Sequence, residues 1–86
     1  MTTQEALKAI EVKREDLEQA GWTKTRILGT PTLTLISLVL KAAAPIPALL
    51  IRAQDVEGSV VGFRQDAREV FADLAARTLI VLEAIC

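Results

Sequence analysis

Apolar positions fall into three unequal groups along the chain. Over the first twenty residues they are sparse. Leu7, Ile10 and Leu17 recur with Arg14 at heptad-like spacing, flanked by Ala6 and Ala20. That narrow stripe predicts an amphipathic helix. Its other faces carry Lys8, Glu11, Lys13, Glu15, Asp16 and Glu18, mixed in sign as a solvated face is. Thr2-Thr3-Gln4-Glu5 has the form of a capping box at its start. Gly21 is the expected stop, in a left-handed cap, and Trp22 is expected to fold back toward Leu17.

The second group is dense. From Thr30 to Ile51, TPTLTLISLVLKAAAPIPALLI, Lys41 is the sole charge. Thr30 suits an N-cap and Pro31 the first helical position, where its missing N–H costs nothing. The helix they start runs to Ala44 and is apolar all round apart from Thr34, Ser37 and Lys41, which predicts a buried element. Leu33 and Leu35 alternate with threonine, so a strand pair over Thr32–Leu40 stays open. The Lys-Ala-Ala-Ala continuation favours helix. Thr23–Leu28 is open in the same way, as a short strand or one to two turns of helix. Pro45 and Pro47 end or kink the central helix. Ala48 to Gln54 then predicts a short helix with Leu49, Leu50 and Ile51 inward. Asp55-Val56-Glu57-Gly58-Ser59 reads as a surface loop, with Gly62 a second breaker.

The third group predicts a helix from about Gln65 to about Ile85. Ala67, Val70, Phe71, Leu74, Thr78, Val81, Leu82 and Ile85 form its stripe, and Leu79 to Leu82 widen it. Asp73 and Arg77 stand four apart and are placed to pair. Together the groups predict an all-α fold. The expected form is a compact bundle of three main helices plus a short fourth helix, in one domain spanning 1–86. The apolar middle is expected to sit between the first and last helices, covered by both.

Composition sharpens this in two places. The chain has 86 residues, 51% of them hydrophobic, with Trp22, Phe63 and Phe71 as its aromatics. So much aliphatic surface in so short a chain predicts a homodimer that shares its core. Net charge is −1, which gives no global attraction to nucleic acid or anionic lipid. Cys86 is the single cysteine, so no intrachain disulfide forms. The first twenty residues lack the apolar run of a secretory signal. Both points predict a cytoplasmic setting.

The same inventory argues against an enzyme. Histidine is absent, which removes the commonest general base and transition-metal ligand. Glu11, Glu15 and Glu18 share a helix face where a solvated acidic surface is expected over a cation site. Gly58-Ser59-Val60-Val61-Gly62 matches no phosphate-cradling loop. No cofactor and no metal are expected.

Two resemblances bear on function. Glu18 to Arg26, with its Lys24-Thr25-Arg26 run, looks like the opening of the helix-turn-helix of bacterial enhancer-binding activators. Leu28-Gly29-Thr30-Pro31-Thr32-Leu33 is similar to that motif's turn. The resemblance implies a small DNA-binding regulator. Thr32 to Leu40, the would-be recognition helix, has no Arg, Lys, Asn or Gln for base edges. Lys24 and Arg26 alone give weak phosphate binding. Glu18-Gln19-Ala20-Gly21-Trp22-Thr23, following an amphipathic helix, resembles a group of uncharacterised small actinobacterial and phage proteins with a Gly-Trp-Thr turn. That resemblance implies a bacterial or phage source and a helical cytoplasmic protein, with no activity attached.

Leu33 to Ile51 also passes a hydropathy test for a membrane span. Lys41 at mid-depth, which costs ~2.5–3.5 kcal/mol there, argues against one. The expected function is therefore non-catalytic: binding to another protein, as a homodimer. Trp22, Lys24 and Arg26 in the first connection, with Phe63 and Arg64 before the last helix, are the expected partner-binding residues.

Overall fold

A computed structural model describes residues 2–56 and 61–86. It is all-α, with no strand among the described residues. The helices are α1 (Thr3–Gln19), α2 (Lys24–Leu28), α3 (Thr32–Ala42), α4 (Ile46–Val56) and α5 (Val61–Ile85). The open choice at Thr23–Leu28 thus resolves as helix, as does that at Thr32–Leu40. The Glu57-Gly58-Ser59 part of the expected loop lies outside the described residues, while Asp55 and Val56 complete α4. Gly62 does not break the chain. It sits in the first turn of α5, which starts earlier than predicted.

Local chemistry explains the helix ends. The Thr2 hydroxyl accepts from the Glu5 amide at 3.2 Å and donates to the Glu5 carboxylate at 3.2 Å. Half of the expected box forms: the hydroxyl caps the Glu5 amide, while the Glu5 carboxylate reaches back to the hydroxyl rather than to the Thr2 backbone N–H. At the other end Trp22 N–H donates to the Leu17 carbonyl at 2.9 Å and Gly21 N–H to that of Glu18 at 3.2 Å. This is the paired closure in which the residue after the cap turns left-handed. Gly21 has φ +110°. A Cβ there would lie 2.6 Å from Arg26 Nη1, the far end of a flexible chain that can swing away. The backbone then sets the cost. Gly21→Ala is expected to destabilise by about 1–2 kcal/mol, seen as a lowered midpoint in thermal unfolding. An unchanged midpoint would mean that this turn holds nothing in place.

α2 is one short turn and a half, capped by the Thr23 hydroxyl accepting from the Arg26 amide at 3.4 Å. Thr30 does not cap α3. Its hydroxyl donates to the Arg26 carbonyl at 2.8 Å, closing α2 instead. Pro31 takes the cap position of α3, and its carbonyl accepts from Leu35 N–H at 3.1 Å. The break between α3 and α4 follows from two prolines that carry no N–H. Ala44 N–H donates to Lys41 and Ile46 N–H to Ala43, each three residues back. These tightened bonds take up the carbonyls that Pro45 and Pro47 leave without their usual donors. Pro47 itself falls in the first turn of α4, where it is tolerated.

Packing runs through α5, which touches each of the other four helices. The expectation that α3 lies between the first and last helices is corrected by this: α1 packs directly on α5. The first half of α1 faces residues 63–75 of α5, and Arg14 and Glu18 share a cleft with Ile80, Glu83 and Ala84. The two helices therefore run in the same direction. α3 meets the second half of α5 through Leu35, and α4 meets its start through Arg52 and Asp66 at 3.0 Å. The α3–α4 arm thus runs back along α5 in the opposite direction.

The core is small. Leu17, Ile27, Leu35, Ala76, Ile80 and Val81 form it, with Ile10, Trp22, Val39 and Ala84 against its edge. Leu49 is buried on α4. The stripe predicted for α5 is only partly right. Val81 is inside, but Phe71, Leu82 and Ile85 are exposed, while Ala76 and Ile80 hold the centre. The core side of α5 is rotated from the predicted one because four helices, not one, compete for it.

The larger correction concerns the apolar middle, which is not enclosed. Leu35 is 2% exposed, yet Leu33 is 77%, Ile36 55% and Leu40 71% exposed. On α4, Leu50 and Ile51 also face outward, against expectation. One side of the arm packs on α5 and the other is bare. The chain is accordingly extended. Its radius of gyration is 14.3 Å, against about 12 Å for a compact chain of this length.

Candidate functional site

The five residues singled out in the sequence lie in two places. Trp22, Lys24 and Arg26 stand at the end of α1. Phe63 and Arg64 stand beside its first half. Along α1 the two places are about 18 Å apart, so they form no single site.

At the first place, Trp22 is half-buried against the core. The Arg77 guanidinium lies 4.8 Å from its ring centroid and donates from Nε to Asp73 at 2.8 Å. The predicted Asp73–Arg77 pair forms, and it also clamps the indole. Cation–π contact of this kind contributes about 0.5–1 kcal/mol where water is near. Trp22 is thus an anchor of the fold. Lys24 is exposed at the rim of a shallow cleft shared with Arg14, Glu18 and Glu83. Arg14 reaches Glu83 at 2.7 Å and Glu18 at 3.4 Å. Hydrogen bonding to Glu83 raises the Arg14 pKa above its ordinary value. Arg26 is exposed and lies over Gly21.

The second place is a groove between α1 and α5, with a cavity volume of about 440 Å³. Alanines at 6, 9, 67 and 75 line it. Their single methyl groups leave the space that larger side chains would fill. Ile10, Phe63 and Phe71 supply the larger apolar surface. Arg64 and Arg68 border it and also border an adjoining hollow of about 600 Å³, where Lys13 pairs with Glu69 at 2.6 Å. The hydrogen bond with Glu69 raises the Lys13 pKa. The Arg52 guanidinium of α4 lies over the Phe63 ring, 5.4 Å from its centroid. Among the described residues Arg64 and Arg68 make no ion pair.

Sequence reading named Phe63 and Arg64 but missed Arg68, Phe71 and the α1 side of the groove. Arg64, Ala67, Arg68, Phe71 and Ala75 repeat at three- and four-residue spacing, so the α5 half was there to be found. The α1 half was not, because it depends on two helices far apart in sequence lying side by side.

Glu11 and Glu15 stay exposed, and among the described residues no group of three metal-ligating side chains converges. What the surface offers is apolar area with charged borders. Compared with known proteins, the chain matches no family model, no curated sequence and no solved structure.

Proposed function

We propose that this is a non-catalytic cytoplasmic protein that binds other proteins, and that it does so as a homodimer joined through the outer face of the α3–α4 arm. The supporting observation is the bare row of Leu33, Ile36 and Leu40, continued by Leu50 and Ile51. Its scale matters. The chain exposes 6193 Å², against about 5,000 Å² for a folded monomer of 9.3 kDa. The surplus is about 1,200 Å², which falls within what one protomer of a permanent dimer buries, about 1,000–2,500 Å². A second copy completes the core that the extended monomer leaves open.

A membrane is the competing cover. Thr32–Gln54 is long and apolar enough to cross one, and 11% of its most apolar window is buried. Two features favour the second copy. Lys41 sits in the middle of the arm. The arm is also fastened by Leu35 to α5, which carries Asp66, Glu69, Asp73 and Arg77 along its length. Insertion would drag those charges toward lipid or tear the core apart. The DNA-binding alternative gains little from α3, whose exposed side chains are mostly leucine, isoleucine, threonine and serine, with Lys41 in its last turn as the one long polar side chain.

Light scattering on the purified chain in detergent-free buffer tests the reading. A mass of twice 9.3 kDa is expected. A monomer that stays soluble, or a chain that needs detergent to stay in solution, would count against it.

A further inference from the structure

The groove between α1 and α5 is a second apolar surface, separate from the α3–α4 face, and its borders are cationic. We infer that it docks an acidic amphipathic helix of a partner protein. The inference rests on the reading above that the chain works by protein–protein contact.

Length and shape argue for a helix. The α5 side runs from Phe63 to Ala75, about 18 Å or three helical turns. The alanines let a third helix axis approach closely, while Ile10, Phe63 and Phe71 meet its apolar anchors. Such anchors recur at i, i+3 or i+4, and i+7 when an amphipathic helix lies in a groove. The space is a trough rather than an enclosed cavity, so it suits an extended rod better than a compact ligand.

Charge argues for an acidic one. Arg64 and Arg68 stand four apart, so they lie on one side of α5. Both are exposed, and neither has a carboxylate partner among the described residues. Arginine presents a fork of donors that matches a carboxylate in two parallel bonds. Two Asp or Glu residues four apart beside an apolar stripe complement this pair. The α3–α4 arm of a second copy does not: Asp55 is its only acidic residue, so it offers no pair of carboxylates four apart. The groove and the dimer face therefore ask for different partners.

The test uses the intact chain and a fluorescent synthetic peptide of about four helical turns. The peptide carries a leucine stripe and two glutamates four apart. A twin carries lysines in place of the glutamates. Anisotropy titration is expected to show saturable binding of the Glu peptide, weakening as salt rises. The Lys twin binds at least about tenfold more weakly. Substituting Arg64→Glu with Arg68→Glu reverses the preference between the two peptides. Arg64→Gln with Arg68→Gln removes the preference, should the charge reversal disturb folding by circular dichroism. Equal binding of both peptides, no binding of either, or indifference to the arginine changes would overturn the inference. So would a halved mass for the arginine variants, because a second copy would then be the occupant. The Glu peptide should still bind if the chain proves monomeric, which separates failure of the dimer from failure of the groove.

Discussion

Leu33→Gln combined with Leu40→Gln is expected to halve the mass of the protein while leaving its helix content unchanged. Both side chains are largely exposed in the single chain, so the substitutions cost the monomer little, within about 0.5 kcal/mol. Glutamine keeps a similar length and a good helix propensity. In the proposed dimer the same two leucines are buried on each copy. Burying a leucine contributes about 1.5–3 kcal/mol. Four such losses per dimer come to roughly 6 kcal/mol or more, which raises the dissociation constant by at least about ten-thousand-fold. Sedimentation equilibrium at micromolar concentration reads this as monomer. A double variant that keeps the parent mass would place the interface elsewhere.

Leu35→Ala is expected to have the largest effect on folding itself. Leu35 is the buried residue of α3 and ties the arm to Leu17, Ile27 and Ile80. Truncating a buried leucine costs about 2–5 kcal/mol, from lost transfer energy and the cavity left behind. An 86-residue chain has only about 4–13 kcal/mol in total. At ~4–8 °C per kcal/mol, the midpoint falls by about 8 °C or more. The measurement belongs in the Leu33→Gln, Leu40→Gln background, where dimerisation no longer adds concentration-dependent stability. Ile36→Ala in that background is the control. One position further along α3, it faces outward and should shift the midpoint little. Equal effects at 35 and 36 would mean that α3 is not oriented as described.

That contrast shows what the sequence could and could not reveal. Features decided within four or five residues were legible. The Thr2–Glu5 cap, the left-handed Gly21, Trp22 folding onto the core and the Asp73–Arg77 pair all follow from neighbouring residues acting through short hydrogen bonds or one helical turn. The covered side of α3 was not legible. Its residues are apolar all round, so periodicity carries no direction, and tertiary contact with α5 alone selects Leu35 over Ile36. The same holds for α5. Its small and apolar residues lie on several sides, and the order of packing put Ala76 and Ile80 inside instead of Phe71 and Leu82. Thr30 closes α2 rather than opening α3 because its hydroxyl has two backbone uses within reach. In the groove, the spacing of Arg64 and Arg68 was visible, but its apolar lining from Ala9 and Ile10 needed the parallel pairing of α1 with α5.

In the proposed dimer a second copy of the chain covers the outer face of the α3–α4 arm. Cysteine accessibility reports that cover. Leu40→Cys and, as a reference, Glu15→Cys are each placed in a Cys86→Ser background, and the rate of reaction with a small maleimide is followed in detergent-free buffer. A buried face gives slow labelling at position 40 that speeds up on dilution below the dissociation constant, against fast and concentration-independent labelling at position 15. Labelling at 40 as fast as at 15 at every concentration would mean that the face is bare in solution and that no second copy covers it.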